Sequence, residues 1–231
     1  MSPMGEKIQN ATLYIVSTPI GNLEDITLRA VETLSQVDLI AAEDTRKTKT
    51  LLERYNIQKP LVSYFSYNEE RRTPELIAKL KDGNSIAVVS DAGTPGISDP
   101  AFRVIHSALE ERIPVVSIPG PTAFLTALIV SGLQSERFIF EGYLPAKKGR
   151  MTKLGQLRSI QCTLILYEAP HRLLRTLHDL KKIFGDRRIT VVRELTKKFE
   201  EIFRGTFSSA ISNYTTHPVR GEFVLVIEGA K

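Results

Sequence analysis

The 231-residue sequence holds a single cysteine, Cys162, so no intrachain disulfide can form and a reducing, cytosolic setting is expected. Long apolar runs are also missing. The nearest to one, Ala123–Leu133, is broken by Thr126, Ser131 and Gly132 and falls well short of the roughly 20 residues a bilayer needs. The leading MSPMGEKIQN has no apolar core before its first charges and no small-residue cleavage pattern, so it reads as a short disordered lead-in. There is no P-loop pattern and no three-glycine dinucleotide fingerprint. One cysteine and four scattered histidines offer no metal-ligand spacing, so no metal is expected. Internal repeats and low-complexity segments are absent as well.

What remains is an ordinary globular composition, 42% hydrophobic and 25% charged, which excludes collagen-like and disordered classes. The length allows one large domain or two small ones. Charge is uneven. Residues 1–140 carry 14 Lys and Arg against 17 Asp and Glu, a net −3, whereas residues 141–231 carry 17 against 9, a net +8. A basic second half points to a surface that meets a polyanion.

Short buried runs alternate with helical stripes through the first 131 residues. Thr12–Ser17, Asp38–Ala42, Leu61–Phe65, Ser85–Ser90 and Val115–Ile118 read as strands. Between them, Thr27–Ser35, Thr45–Tyr55, Thr73–Leu80 and Pro100–Arg112 read as helices, with Thr122–Ser131 after the last strand. Pro74 is expected in the first turn of its helix, and Arg46, Lys47 and Lys49 on the outward face of theirs. Such alternation predicts a mainly parallel sheet covered by helices.

The second half reads differently. Arg137–Gly142, Thr163–Tyr167, Ile189–Arg193, Glu200–Thr206 and Glu222–Glu228 read as strands of mixed direction, and Met151–Ile160 and His171–Phe184 as helices. A joint near Gly132–Arg137 divides the chain into 12–132 and 133–231, two α/β domains.

In open α/β sheets ligands bind beyond the carboxyl ends of strands. The richest such loop, Ser90–Pro100, carries Gly93 and Gly96, which permit positive φ and close backbone approach. Asp91 stands where a carboxylate can meet a hydroxyl or a cation. Asp99 before Pro100 reads as a helix N-cap, and so does Thr122, which also faces the crevice.

Taken in order, the segments STPIGNLEDIT (17–27), AAEDTR (41–46), SDAGTPGISDP (90–100), IPGPTA (118–123), YEAPHRL (167–173), RELTK (193–197) and RGEFVLVIEG (220–229) closely resemble the ribosomal RNA small subunit methyltransferase I family, within the tetrapyrrole methylase superfamily. Each segment alone is modestly specific; seven in order, over residues 12–229, are highly so. The resemblance implies two α/β domains, a mainly parallel sheet followed by a mixed one, with a cofactor cleft between them. It implies a homodimer that uses S-adenosylmethionine to methylate the ribose 2′-oxygen of a cytidine in small-subunit (16S) ribosomal RNA. Its cofactor segments fall on Pro19, on Ser90, Asp91, Ala92, Gly93 and Ile97, on Thr122 and Ala123, on Leu166 and Tyr167, on Leu195, and on Gly221 and Glu222. Members commonly carry histidine where this chain has Tyr67, and continue some tens of residues past the last segment, whereas this sequence ends at Lys231.

A ribose hydroxyl is a weak nucleophile that benefits from a general base or a neighbouring cation. Polar residues at predicted strand ends are Asp44, Arg46, Glu168, His171, Arg193 and Glu194, none singled out as the base; Arg193 and Glu194 read equally well as a structural ion pair. Lys147, Lys148 and Arg150 crowd one loop and are the first candidates for RNA contact, with Tyr143 nearby for stacking. Arg187 with Arg188 and Lys197 with Lys198 are further basic pairs. Two other readings share parts of this pattern: a methyltransferase for a small tetrapyrrole, and a non-catalytic RNA-binding assembly module. The +8 excess favours a polyanion over the first, and the glycine-shaped loops argue for catalysis over the second.

Overall fold

A computed structural model describes residues 9–216 and 219–230. Most of the lead-in lies outside the described residues. The chain divides into two compact units, Met1–Thr122 and Ala123–Lys231.

The first unit alternates strand and helix as the apolar pattern requires. Its strands are β1 (Leu13–Val16), β2 (Leu39–Ala42), β3 (Leu61–Ser63), β4 (Ile86–Val89) and β5 (Val115–Ile118). Its helices are α1 (Leu28–Gln36), α2 (Thr45–Arg54), α3 (Glu69–Lys81) and α4 (Phe102–Glu110). The strands pair in the order β3-β2-β4-β1-β5, and every pairing is parallel. β1 and β4 are buried along their whole length, which explains why they read as unbroken apolar runs.

Helices cover both faces. Ala30 and Leu34 of α1 and Leu52 of α2 join the core on one face. Leu76, Ile77 and Leu80 of α3 and Val104 and Ala108 of α4 join the core on the other. The loops after the neighbouring strands β1 and β4 therefore leave toward opposite faces. That divergence opens the crevice in which doubly wound sheets hold ligands.

Two helix starts differ from expectation. α3 begins at Glu69, four residues early, and Pro74 is its sixth residue. Glu69 and Glu70 favour the amino end of the dipole, Lys79 and Lys81 the carboxyl end, and the buried stripe Thr73, Leu76, Ile77, Leu80 holds the helix across the missing proline N–H. α4 begins only at Phe102, so Asp99 is not its cap; Ala101 is, with no side-chain capping bond. Ser98 at φ 66° and Gly96 at φ 87° turn the chain first.

The second unit opens with α5 (Ala123–Ser131), followed by β6 (Phe138–Tyr143), α6 (Arg150–Leu157), β7 (Thr163–Glu168), α7 (Leu173–Phe184), β8 (Arg188–Arg193), β9 (Glu201–Thr206), α8 (Phe207–Thr216) and β10 (Phe223–Ile227). The sheet order is β6-β7-β10-β8-β9; β6 and β7 are parallel and the other pairings antiparallel, a mixed sheet as expected. One face carries α6, α7 and α8 on a core of Leu154, Leu177, Phe207 and their neighbours. The other face carries α5, whose Phe124 stacks 4.5 Å from Phe140 and whose Ser131 carbonyl accepts from Thr190 Oγ1 at 3.1 Å. These contacts place α5 with the second sheet, so the division falls at Thr122/Ala123, about one short helix earlier than the joint read from sequence.

α8 has no counterpart in the sequence reading. Its Ser, Thr and Asn are weak helix formers. Its first N–H groups are satisfied from a distance: Asp186 Oδ1 accepts from Ser208 N at 2.7 Å, and burial of Phe207, Ala210 and Tyr214 supplies the rest.

Candidate functional site

In the first unit the loops after β1 and β4 are stitched together across the crevice. Thr18 N donates to Gly93 O at 2.8 Å and Gly93 N donates to Thr18 O at 3.0 Å. Gly93 has φ 84°, a conformation that costs an L side chain strain. A Cβ built there would meet Ile20 Cγ2 at 3.5 Å and Pro121 O at 3.8 Å, ordinary contacts. Backbone conformation, rather than crowding, is what requires glycine here.

Three hydroxyls line up beside this bridge: Ser17 Oγ lies 2.9 Å from Thr94 Oγ1, which lies 3.0 Å from Thr122 Oγ1. Thr122 thus meets Thr94 as well as preceding α5. Gly120 lets the β5 loop pass close, since a Cβ there would lie 2.9 Å from Ser17 Cβ. Pro19, Ser90 and Asp91 line a cavity of about 240 Å³ with Thr18, Lys47 and Leu51. Ala92 sits at the loop's turn, and Ile97 is exposed further along it.

Around Asp91 the carboxylates are tied down. Asp44 N donates to Asp91 Oδ1 at 2.9 Å, Lys47 Nζ to Asp91 Oδ2 at 2.6 Å, and Asp91 N to Glu43 Oε2 at 3.1 Å. Asp44 and Arg46, both catalytic candidates, hold each other instead. Arg46 N and Nε donate to Asp44 Oδ1 at 2.9 and 3.1 Å, and Nη2 to Oδ2 at 2.7 Å, so Asp44 caps α2 and its carboxyl is held well below the usual range. Lys47 is exposed, as expected, and also lines the cavity.

Asp99 differs from its neighbours. Burial, with repulsion from Glu43 and Asp91 added, pushes its carboxyl up from 3.8 to about 7. The folded state therefore binds a proton that the unfolded chain releases from about pH 4 upward. Asp99's share of stability is complete below pH 4 and is lost as pH rises through 7. In Asp99→Asn that loss disappears. Relative to the parent, the variant should gain stability progressively from about pH 4 to 7 and hold the gain at pH 8, as read by urea unfolding at a series of pH values. A difference independent of pH would contradict this assignment.

In the second unit the candidates cluster at the carboxyl ends of β7 and β8 and the start of β10. Glu168, a catalytic candidate, is buried and fully engaged: it accepts from Thr176 Oγ1 and from Ala169 N at 2.9 Å, and pairs with Arg172 Nε at 3.3 Å. Arg150, an expected RNA contact, is instead buried. It is 2% exposed, pairs through Nε with Asp179 at 2.8 Å and donates from Nη2 to Thr176 Oγ1 at 2.7 Å. A guanidinium with those partners is a buried strut. Three successive carbonyls of the basic loop each receive an arginine: Leu144 from Arg172 at 2.5 Å, Pro145 from Arg150 at 3.3 Å and Ala146 from Arg175 at 3.4 Å. Lys147 and Lys148 stand exposed at its tip.

Arg193 and Glu194 do not pair with each other. Arg193 Nη1 meets Glu201 at 3.1 Å, and Glu194 Oε1 meets Lys197 Nζ at 3.0 Å. Burial raises the Glu194 carboxyl, but bonds from Glu222 N and Lys197 outweigh it and leave the group below its ordinary value. Gly221, at φ 91°, lies against Glu194: a Cβ there would be 2.5 Å from Glu194 Cγ. Glu222 also pairs with Lys197, at 2.8 Å. Leu166 and Leu195 are buried, Leu166 in the core under α7, so Leu166 can offer a ligand only its backbone. Tyr167 lies on the opposite face, edge-on to Phe140 and Tyr143. Ala123 opens α5, and His171 lies in a short 3-10 turn, Pro170–Arg172.

At the other ends of β8 and β10 Arg158, Arg187 and Arg188 line a groove of about 940 Å³. Arg187 is spent on the carbonyls of Arg158, Phe184 and Glu228, and Arg188 pairs with Glu228 at 3.0 Å. Among the described residues no group of three or more His, Cys, Asp or Glu could hold a metal, and no helix is long and apolar enough to cross a membrane.

An α/β chain with a parallel sheet, a mixed sheet and a glycine-turned loop at the switch point has the fold of the Tetrapyrrole (Corrin/Porphyrin) Methylases, whose family profile matches residues 12–211. Solved structures agree on the fold. A diphthine synthase superposes with TM-score 0.76 at 14% identity, covering 94% of this chain and 90% of that one. A uroporphyrin-III C-methyl transferase from Thermus thermophilus, complexed with S-adenyl homocysteine, gives 0.67 at 18%, covering 94% and 97%. In sequence, the ribosomal RNA small subunit methyltransferase I of Synechocystis is 54% identical over 94% of this chain and 79% of its own length. That of Thermotoga maritima is 47% identical over 94% and 98%. The chain belongs to the ribosomal RNA small subunit methyltransferase I family.

Proposed function

We propose that this protein transfers the methyl group of S-adenosylmethionine to small-subunit ribosomal RNA, at the ribose 2′-oxygen of a cytidine. The observation that carries the reading is the 54% identity with an rRNA methyltransferase across nearly the whole chain. The hydroxyls of Ser17, Thr94 and Thr122 can each donate and accept. That donor set suits a ligand carrying ribose hydroxyls and an amino-acid end. Pro19, Ser90 to Gly93 and Ile97 are the first unit's proposed cofactor residues with Thr122; Ala123, Leu166, Tyr167, Leu195, Gly221 and Glu222 are those of the second.

The bound cofactor supplies an electrophilic methyl on a sulfonium. What the chain must supply is alignment of the acceptor oxygen with that methyl, an orientation problem that a loop stitched at Thr18 and Gly93 is built to solve. An rRNA substrate places the reaction in the cytoplasm. The protein is proposed to act as a homodimer.

The function is tested by incubating the protein with labelled S-adenosylmethionine and three acceptors: assembled small subunits, naked rRNA and a tetrapyrrole. Label in subunits or rRNA alone supports the reading; label in the tetrapyrrole alone overturns it. The RNA face is tested by Lys147→Ala/Lys148→Ala. Each lost phosphate contact should lower the slope of log K against log[salt] by roughly 0.7 on a single strand or 0.9 on a duplex. Calorimetry should find cofactor affinity unchanged. An unaltered slope would move RNA contact off this loop.

A further inference from the structure

We propose that Lys47 is a catalytic residue of the methyl transfer, hydrogen-bonding the acceptor hydroxyl oxygen and relaying that hydroxyl's proton to Asp91. The proposal rests on the 2′-O reading above. It begins with the cavity beside the crevice, walled by Thr18 and Pro19 after β1, Ser90 and Asp91 after β4, and Lys47 and Leu51 on α2. Among the described residues lining it, Lys47 carries the one positive charge.

The lysine is not a loose surface chain. Its Nζ lies 2.6 Å from Asp91 Oδ2. Asp91 cannot swing away, because Oδ1 accepts from Asp44 N at 2.9 Å and its own N–H donates to Glu43 Oε2 at 3.1 Å. The result is an ammonium–carboxylate pair fixed in the cavity wall, with the lysine side chain still 63% exposed to an incoming group. Arg46, the adjacent cation, cannot take this role: its guanidinium is locked on Asp44 and is 90% exposed, outside the cavity lining.

A hydroxyl attacking a methyl needs its developing charge stabilised and its proton removed. Lys47 does both. The oxygen–carbon bond forms as the carbon–sulfur bond breaks, with the electron pair of the broken bond leaving on sulfur. As this happens Nζ gives one of its protons to Asp91 Oδ2, and the lone pair so freed takes the hydroxyl proton. The positive charge of the sulfonium and the negative charge of Asp91 vanish together, while Lys47 stays positive. Asp91 then returns its proton to water.

The test uses the full chain with unmethylated small subunits, following the single-turnover rate, cofactor affinity by calorimetry and subunit affinity by filter binding. Lys47→Met should lower the rate roughly 100-fold or more, with both affinities held within about twofold. Lys47→Arg, which keeps the charge beside Asp91, should recover part of the rate. A Lys47→Met rate within about threefold of the parent, or a loss wholly explained by weaker cofactor or subunit binding, would overturn the proposal. Should Lys47→Met unfold, Lys47→Gln is read by the same criteria, and the Lys47→Arg comparison also decides: a full parental rate with the bulky, non-relaying guanidinium contradicts a proton relay. A parent protein that methylates no RNA fails the 2′-O reading itself, which separates that failure from this one.

Discussion

Replacing Arg150 by alanine is expected to cost about 3–5 kcal/mol of unfolding free energy, the range for breaking one partner out of a buried ion pair. The side chain is 2% exposed and joins Asp179, Thr176 and the Pro145 carbonyl. Alanine would leave the Asp179 carboxylate without its shortest ion-pair partner, Thr176 Oγ1 without its donor, and a void where the guanidinium lay. Lys147→Ala/Lys148→Ala, a few residues earlier in the same basic run, should change stability by no more than about 0.5 kcal/mol, the usual range for surface positions. Urea unfolding of the two variants side by side measures the contrast. Equal, small effects would mean that the strut carries no stability. A triple alanine variant that included Arg150 would confound fold with RNA contact.

Gly93→Val should have the second large effect, on cofactor binding. At φ 84° a β-branched residue is strained by about 1–3 kcal/mol. The loop can relieve that strain by breaking its two hydrogen bonds to Thr18. If cofactor binding requires the stitched loop, the same energy appears as a loss of roughly 5- to 150-fold in affinity. Gly93→Ala, which lacks the branch, should lose less. Calorimetry with S-adenosylmethionine gives the affinities, and thermal unfolding verifies that the variants remain cooperative. Undiminished affinity in a folded Gly93→Val protein would remove this loop from the cofactor site.

The strands were legible because β1, β2 and β4 are largely buried runs of Leu, Ile, Val and Ala with one Tyr, whose pattern is independent of distant partners. α8 was not, because its cap comes from Asp186 and its stability from packing that a window of Ser, Thr and Asn does not display. Pro74 misled for a related reason. Proline is common in first turns, yet here four buried side chains and charges at both ends carry the helix across it.

In the site, the glycine loop was legible through its residue types, since positive φ writes itself into sequence as glycine. Which charge belongs to which partner was not. Arg46 and Lys47 are neighbours in sequence, but one helical step turns the first onto Asp44 and the second onto Asp91, 44 residues away. Arg150 stands beside two exposed lysines and nothing local marks it as buried; its partners come from α7. Glu168 was visible as a carboxylate at a strand end, but its engagement by Thr176 and Arg172 was not.

The central claim is methyl transfer to a ribose oxygen, and alkaline hydrolysis of the labelled product tests it most directly. Alkali cleaves RNA through a free 2′-hydroxyl, so a methylated ribose protects the linkage that follows it. Small-subunit rRNA methylated by this protein with labelled S-adenosylmethionine should yield its label in an alkali-resistant dinucleotide containing 2′-O-methylcytidine. Label recovered in a mononucleotide, as base methylation would give, would contradict the account.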